Sequence, residues 1–187
     1  LSKLPSICCT LGSNIPPMRK TTAGERRPIL PFMNPKADSR LTEVSLVVSN
    51  LHPRLSFSES KVETFFHSLF PLYPKGPRGE LSLVFMERAE HNQLHGEFLK
   101  DFRPTDVITF PSDPDENMAG EICISVDQAW EESISRKIPF VEELSLYLIH
   151  GWLHLVGFDD IEKVERIQMR FEEERSLRHI EKQGAWP

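Results

Sequence analysis

The stretch His150-Gly-Trp-Leu-His154-Leu-Val-Gly157-Phe-Asp-Asp160 carries the pattern around which the rest of the chain is organised. Two histidines four positions apart on a helix differ by about 40° around its axis, so their imidazoles leave one face a turn apart. That spacing lets two ring nitrogens converge on one metal ion at roughly 2 Å. Gly157 allows the helix to end and the chain to fold back, which would bring Asp159 or Asp160 to the same ion.

Two helical histidines and one returning carboxylate leave a coordination position open, as in catalytic metal sites. The alternative is a buried helix whose histidines have ordinary hydrogen-bond partners, and the spacing taken alone favours this alternative. The glycine turn and the carboxylates that follow it favour the metal site. Two nitrogens and one carboxylate oxygen suit zinc, while nickel, iron and manganese are compatible with the same ligands.

Asp159 and Asp160 also have a structural interpretation, because they directly precede the last predicted helix. Asp159 and Glu162 match the spacing of a capping pair, in which side chains at the helix start accept backbone N–H bonds. Capping by Asp159 is compatible with metal binding by Asp160. The sequence therefore predicts His150, His154 and Asp160 as metal ligands.

The position after the first histidine separates this stretch from the zinc-protease helix. That motif places a glutamate there as general base, and this chain has Gly151. A metallopeptidase is therefore the least favoured interpretation, although the ligand scaffold is similar to the metal-binding helix of the zincins. The ion would lower the pKa of a water in the open position, which makes hydroxide available for hydrolysis.

The composition is ordinary for a soluble protein, with 39% hydrophobic and 27% charged residues. No run approaches the roughly 18 to 20 apolar residues of a membrane span. The formal net charge of −6 argues against generic, charge-driven binding to nucleic acid, although a local basic patch is compatible with it. Three cysteines, with Cys8 and Cys9 adjacent, make no disulfide framework and indicate a reducing compartment. Cys123 is expected to be a buried packing residue.

Residues 1–40 differ from the rest of the chain. Residues 1–37 carry the single acid Glu25 against six basic residues: Lys3, Arg19, Lys20, Arg26, Arg27 and Lys36. With scattered prolines and no periodicity, they are predicted to be a disordered or loosely attached extension. A basic, acid-poor segment is also typical of an organellar transit peptide, and an over-extended translation start is a third interpretation.

From residue 41 the pattern becomes regular and predicts one domain over residues 41–187. Strands are predicted at 41–48, 81–85, 105–111 and 120–126, and helices at 58–72, 89–99, 127–135, 141–156 and 161–177. This order predicts an α+β fold, a small mixed β-sheet with helices packed over it. In the last helix one apolar face is expected to cover the core: Ile161, Val164, Ile167 and Phe171.

A second concentrated stretch is Phe102-Arg-Pro-Thr-Asp-Val-Ile-Thr-Phe-Pro111. Its composition favours a loop that leads into an edge strand, with Thr105 and Asp106 capping a turn. Lys100 and Arg103 beside it could form a local anion site, although isolated surface cations usually face water. Serine or cysteine nucleophile arrangements and phosphate-cradling glycine loops are absent from the sequence.

Together these stretches resemble the YbeY family of metal-dependent endoribonucleases, also called rRNA maturation factors. The family signature is His-Gly-x-Leu-His-Leu-x-Gly-Tyr-Asp-His, and residues 150–160 match it except at two positions. Residues 104–110 are similar to the family's Pro-Thr-Asp-Val-Leu-Ser-Phe segment, and residues 120–122 to its Gly-Asp-Ile strand. The resemblance covers roughly residues 41–180.

The resemblance implies an α+β fold, a zinc-type ion held by His150, His154 and residue 160, and hydrolysis of single-stranded RNA. It further implies a role in maturation of the small-subunit rRNA 3′ end and in ribosome quality control. The expected partners are then rRNA and the ribosomal small subunit, without DNA or a membrane. The expected location is cytoplasmic, with organellar import through the basic extension as the alternative.

Three positions depart from the family pattern. The third family ligand is histidine where this chain has Asp160, which is expected to change metal preference and affinity. The family's arginine five residues before the proline, thought to handle substrate phosphate, is Leu99 here, so Lys100 or Arg103 would have to bind substrate instead. Phe158 replaces tyrosine. These departures keep open an alternative, a ribosome-associated RNA-binding protein with weak or lost nuclease activity.

Overall fold

A computed structural model describes residues 44–112 and 117–187, which form a four-stranded sheet and five α-helices. The strands are β1 Val44–Asn50, β2 Gly79–Met86, β3 Val107–Phe110 and β4 Met118–Ser125. The helices are α1 Glu59–Leu69, α2 Arg88–Leu99, α3 Val126–Arg136, α4 Phe140–Val156 and α5 Lys163–Gln183, with a 3-10 turn at Phe70–Leu72 after α1. The predicted disordered extension, residues 1–40, lies outside the described residues.

The sheet has the strand order β1-β2-β4-β3. β1, β2 and β4 are parallel, and β3 runs antiparallel to β4 at the edge. Parallel neighbours require crossover connections, and α1 and α2 lie in these connections. The predicted α+β fold with a small mixed sheet is confirmed, and the segment predicted as an edge strand is one.

The main core lies between one face of the sheet and the helices α1 and α4, while α2 covers a smaller cluster on the other face. The central strand β2 reads as a nearly continuous apolar run because both of its faces are buried. Cys123 belongs to the smaller cluster and is fully buried, as predicted. None of the described helices is long and apolar enough to cross a membrane.

α4 is the central helix, and it carries four fully buried large side chains: Leu148, Ile149, Trp152 and Leu153. Gly151 is the point of closest approach between this helix and the sheet. A Cβ at Gly151 would lie 2.6 Å from Cγ2 of Ile122 on β4, which is closer than real Cβ contacts. A side chain at position 151 therefore has no space, so the glutamate of the zinc-protease motif does not fit this fold.

The apolar face of the last helix that was expected to cover the core is exposed instead. Four apolar side chains are exposed: Ile161 71%, Val164 75%, Ile167 63% and Phe171 62%. α5 instead buries Met169, Ser176 and Ile180, on the opposite face. The prediction is wrong because polar contacts help to anchor the buried face, where the hydroxyl oxygens of Tyr73 and Ser176 lie 2.7 Å apart. A pattern based on hydrophobicity alone assigns such a face to solvent.

The predicted cap of the last helix is also wrong. α5 begins at Lys163 with Glu162 as its N-cap, and Glu162 and Glu165 form the capping box. Oε2 of Glu165 accepts the backbone N–H of Glu162 at 2.9 Å. Asp159 lies before this box, and its Oδ1 accepts the backbone N–H of Asp160 at 2.7 Å. The side chain of Asp160 is therefore not required to cap the helix.

Candidate metal centre

His150 and His154 leave one face of α4 a turn apart, as their spacing predicts. Their Nε2 atoms are 3.0 Å apart, and Oδ1 of Asp160 lies 4.0 Å from Nε2 of His154. One ligand atom from each of the three residues lies within 4.8 Å of the others. The structure therefore brings together the three predicted ligands, in a set that could surround one ion after small side-chain adjustments.

The end of α4 explains how Asp160 reaches the histidines. Gly157 has φ +105°, a left-handed conformation that ends the helix and favours glycine. The N–H of Gly157 donates to the carbonyl of Leu153 at 3.1 Å, and the N–H of Phe158 donates to the same carbonyl at 3.0 Å. This C-cap reverses the chain and returns Asp160 to the end of α4 that carries His154.

The second nitrogen of each imidazole has its own partner. Nδ1 of His150 donates to Oε1 of Glu173 at 2.6 Å, and Nδ1 of His154 donates to the carbonyl oxygen of Phe158 at 3.1 Å. A carbonyl oxygen and an ionised carboxylate accept hydrogen bonds only, so each Nδ1 carries a proton and each Nε2 faces the other imidazole, where it can bind an ion. Metal-binding histidines are oriented in the same way in proteins.

A cleft of about 600 Å³ opens beside the centre and is lined by His150 and Asp160. The loop Pro104–Asp106 forms part of its wall, together with side chains from α3, α4 and α5. Among the residues that the structure describes, four carboxylates line it: Asp106, Glu132, Asp160 and Glu173. Two guanidinium groups also line it, those of Arg136 and Arg170. The candidate ligands therefore lie at an open, polar groove that an extended ligand can enter.

Residues 49–181 match the family model described as Endoribonuclease YbeY. The chain belongs to the YbeY family. An endoribonuclease YbeY of Protochlamydia amoebophila is 38% identical over 107 residues, which are 55% of this chain and 71% of the relative. An endoribonuclease YbeY of Carboxydothermus hydrogenoformans is 29% identical over 133 residues, 70% of this chain and 93% of the relative.

The fold also has a counterpart among solved structures. The solution structure of TM1509 from Thermotoga maritima superposes with a TM-score of 0.52 at 23% identity, and the match covers 73% of this chain and 88% of that chain. Membership of the YbeY family confirms the resemblance, and it confirms the prediction of an RNA-cleaving hydrolase at the level of the family. The family is metal-dependent, and the cluster of His150, His154 and Asp160 is the candidate for its metal site.

Burial and charge act in opposite directions on the two histidines of this YbeY-family centre. Burial is the largest influence on His150 and lowers its pKa, but the hydrogen bond to Glu173 and the charges of Asp106, Glu173 and Asp160 together raise the pKa above its ordinary value. Burial, and then the neighbouring His150, hold the pKa of His154 below its ordinary value. The pair therefore resists double protonation, and an ion at the two Nε2 atoms would compete with protons for them.

Glu173 is a site residue that the sequence did not predict. It lies 23 residues after His150 within a run of acids on α5, so no local spacing links it to the histidines. The structure places Glu173 on the buried face of α5, four residues after Met169 and three before Ser176. An acid on the buried face of a helix requires a partner, since an unpaired buried carboxylate is costly.

Lys100 and Arg103 do not line the cleft. Lys100 ends α2 with φ +59°, and its Nζ donates to the carbonyl of Glu97 at 3.1 Å. The guanidinium of Arg103 is exposed and binds Asp101, with Nη2 2.6 Å from Oδ2, and this hydrogen bond lowers the pKa of Asp101 to about 2. Contact of Lys100 or Arg103 with substrate stays a prediction.

Proposed function

We propose that this YbeY-family protein is a metal-dependent endoribonuclease that hydrolyses single-stranded RNA, with His150, His154 and Asp160 holding one ion. The observation that carries the proposal is the pair of Nε2 atoms 3.0 Å apart, which face each other because Nδ1 of each ring donates to its own acceptor. His150 of this pair lines an open polar cleft. Zinc is the proposed ion, and nickel, iron and manganese are compatible with two nitrogens and one oxygen.

The donor set fits a catalytic rather than a closed structural site, because three protein ligands leave a position for water or substrate. A bound ion would supply Lewis-acid chemistry, which activates water and polarises a phosphate oxygen. The chain's own residues orient the ligands. Glu173 holds the ring of His150, the Phe158 carbonyl holds the ring of His154, and the Gly157 turn returns Asp160.

The proposed physiological substrate is rRNA, with a role in maturation of the small-subunit 3′ end and in ribosome quality control on the small subunit in the cytoplasm. Family membership and the shared name of the relatives support an RNA substrate. Lys100 and Arg103 lie outside the cleft, before Pro104. They are proposed to contact the RNA strand where it extends beyond the cleft.

Metal analysis and RNA cleavage of the full chain test this proposal together. The purified protein should carry about one ion per chain, and His150→Ala should lose both the ion and the cleavage of a single-stranded RNA oligonucleotide. His67→Ala is the matched control, because His67 is an exposed histidine of α1 outside the cleft. Full cleavage by the His150→Ala protein, or by chelated wild-type protein, would contradict the proposal.

A second candidate is a ribosome-associated RNA-binding protein with weak or lost nuclease activity. The charge of the cleft favours it, because carboxylates outnumber guanidinium groups among its described lining residues. Leu99 in place of the family's arginine points in the same direction. RNA binding without cleavage, in both metal-loaded and chelated samples, would establish this second function.

A further inference from the structure

One edge of α5 faces the candidate metal centre with three charged residues, Arg166, Arg170 and Glu173. Spacings of four and three residues place them within about 60° on one side of the helix. Nη1 of Arg166 donates to the carbonyl of Asp160 at 3.1 Å and also to the carbonyl of Ile161. Glu173 accepts the hydrogen bond of His150 at 2.6 Å. The first and the last residue of this row therefore hold the two segments that carry the ligands.

The middle residue of the row, Arg170, holds neither of these segments. Its side chain is exposed and lines the cleft beside His150, Asp160 and Glu173. Within residues 44–112 and 117–187, its guanidinium makes no hydrogen bond and no ion pair. A planar group with five N–H donors is thus available at the wall of the cleft.

The other guanidinium group of the cleft is already occupied. Nε of Arg136 lies 3.5 Å from Oε2 of Glu132, and its Nη1 lies 3.5 Å from Oε2 of the fully buried Glu143. Two acidic side chains therefore already lie against the guanidinium of Arg136. Of the two guanidinium groups that line the described cleft, Arg170 is the one that an incoming anion can use without displacing an acid.

A purely structural role does not explain Arg170. An arginine that only stabilised α5 would be expected to pair with Glu173 or Asp160, which line the same cleft, but Glu173 instead accepts from His150. The guanidinium of Arg170 instead stays unpaired among the described residues at the wall of the cleft, where an anion that approaches the metal centre can reach it. A phosphodiester is such an anion, and guanidinium binds its oxygens through paired hydrogen bonds.

We propose that Arg170 binds a backbone phosphate of the RNA strand at the metal centre. The inference rests on the proposed function, because it names a substrate contact of the same site. Arg170 lies about one helical turn from the residue that orients His150, since Arg170 and Glu173 are three positions apart on α5. Arg170 is then a substrate-binding residue that acts on affinity more than on the chemical step.

The test compares Arg170→Gln and Arg170→Lys with a matched control on the same helix, Arg178→Gln. Arg178 is exposed, pairs with Glu174 and does not line the cleft. The probe is a fluorescein-labelled 12-nucleotide single-stranded RNA, cleaved by metal-loaded protein over a series of salt concentrations. Arg170→Gln should raise KM roughly tenfold or more with a smaller change in kcat, and Arg170→Lys should recover part of the loss. The slope of log(kcat/KM) against log salt should fall by about 0.7 in magnitude, as for one lost phosphate contact on a single strand.

Each contrary outcome has a distinct meaning. If Arg170→Gln and Arg178→Gln both behave like the wild type on an RNA that the wild type cleaves, the inference is overturned and the proposed function stands. If Arg170→Gln loses its ion, Arg170 acts through the metal site and the phosphate contact is overturned. If the wild type neither binds nor cleaves the probe in the presence of metal, the proposed function itself fails.

Discussion

Glu173 on α5 accepts a hydrogen bond from Nδ1 of His150 on α4 across 2.6 Å. Through this bond the last helix determines the orientation and the tautomer of the first candidate ligand. Because both side chains are largely buried, the carboxylate has little access to water and stabilises the proton on Nδ1. The last helix is therefore part of the metal centre rather than a cover for it.

The role of Glu173 predicts a loss of metal affinity without a loss of fold. Glu173→Ala should weaken metal binding by roughly 10- to 100-fold, because the imidazole loses its orienting partner. Glu173→Gln should lose less, since its amide oxygen can still accept the Nδ1 proton. Competition with a chromophoric chelator measures the affinity, and Glu174→Gln, an exposed neighbour, is the control. Equal affinity in all three variants would contradict this role.

Asp160 predicts a change of metal preference. Asp160→His should bind zinc more tightly than the unmodified chain, because imidazole is a softer ligand than carboxylate. Asp160→Ala should release the ion more easily than either. Metal analysis after dialysis against mixed zinc and manganese checks the order of retention. No change in Asp160→His and Asp160→Ala would place residue 160 outside the coordination shell.

The burial of His91, away from the metal centre, leads us to expect that the free energy of unfolding depends on pH. His91 is fully buried under the sheet, where Nε2 donates to the carbonyl of Cys123 at 3.1 Å, and burial lowers its pKa to about 4. The unfolded chain binds this proton near pH 6.5, so the contribution to stability is complete above that pH and is lost as pH falls toward 4. The loss is roughly 3 kcal/mol at most.

Urea unfolding at several pH values, with a chelator present, measures this contribution. His91→Gln should flatten the fall in unfolding free energy between about pH 6.5 and 4, because the amide donates without titrating. His67→Gln, at an exposed position, should follow the wild-type curve. Parallel curves for wild type and His91→Gln would show that His91 does not titrate in this range.

Truncating a side chain on the buried face of α5 should lower the free energy of unfolding much more than truncating one on the exposed face. Met169→Ala should reduce the unfolding free energy by about 2 to 5 kcal/mol, because Met169 is buried in the main core. Ile167→Ala, on the exposed face, should change it by less than about 0.5 kcal/mol. Denaturant unfolding of the two variants in parallel compares them. A comparable cost for both would mean that the exposed face is covered in solution.

The features predicted correctly from the sequence are those that local geometry determines. The separation of His150 and His154 follows from the helical repeat, and the return of Asp160 follows from a glycine that can take positive φ. Glu173 and Arg170 could not be predicted in the same way, because their places depend on how α5 docks against α4. The buried face of α5 was predicted wrongly for the same reason, since hydrogen bonds rather than apolar area anchor part of that face.

Gly151 predicts a specific coupling between α4 and the sheet. Gly151→Ala should destabilise the protein by about 1 to 3 kcal/mol, because the new methyl group meets Cγ2 of Ile122 at 2.6 Å. This loss should occur although alanine favours a helix interior over glycine by about 1 kcal/mol. Ile122→Ala alone should also destabilise, through the cavity that it leaves in the core.

In the double variant the clash is absent, so adding Gly151→Ala to Ile122→Ala should be neutral or stabilising, with the helix propensity of alanine now contributing. Denaturant unfolding of the four proteins gives the coupling free energy of this cycle. This coupling free energy should stabilise the double variant, relative to the sum of the two single changes, by an amount comparable to the cost of the clash. Additive costs would show that the loss in Gly151→Ala does not come from the contact between its methyl group and Ile122.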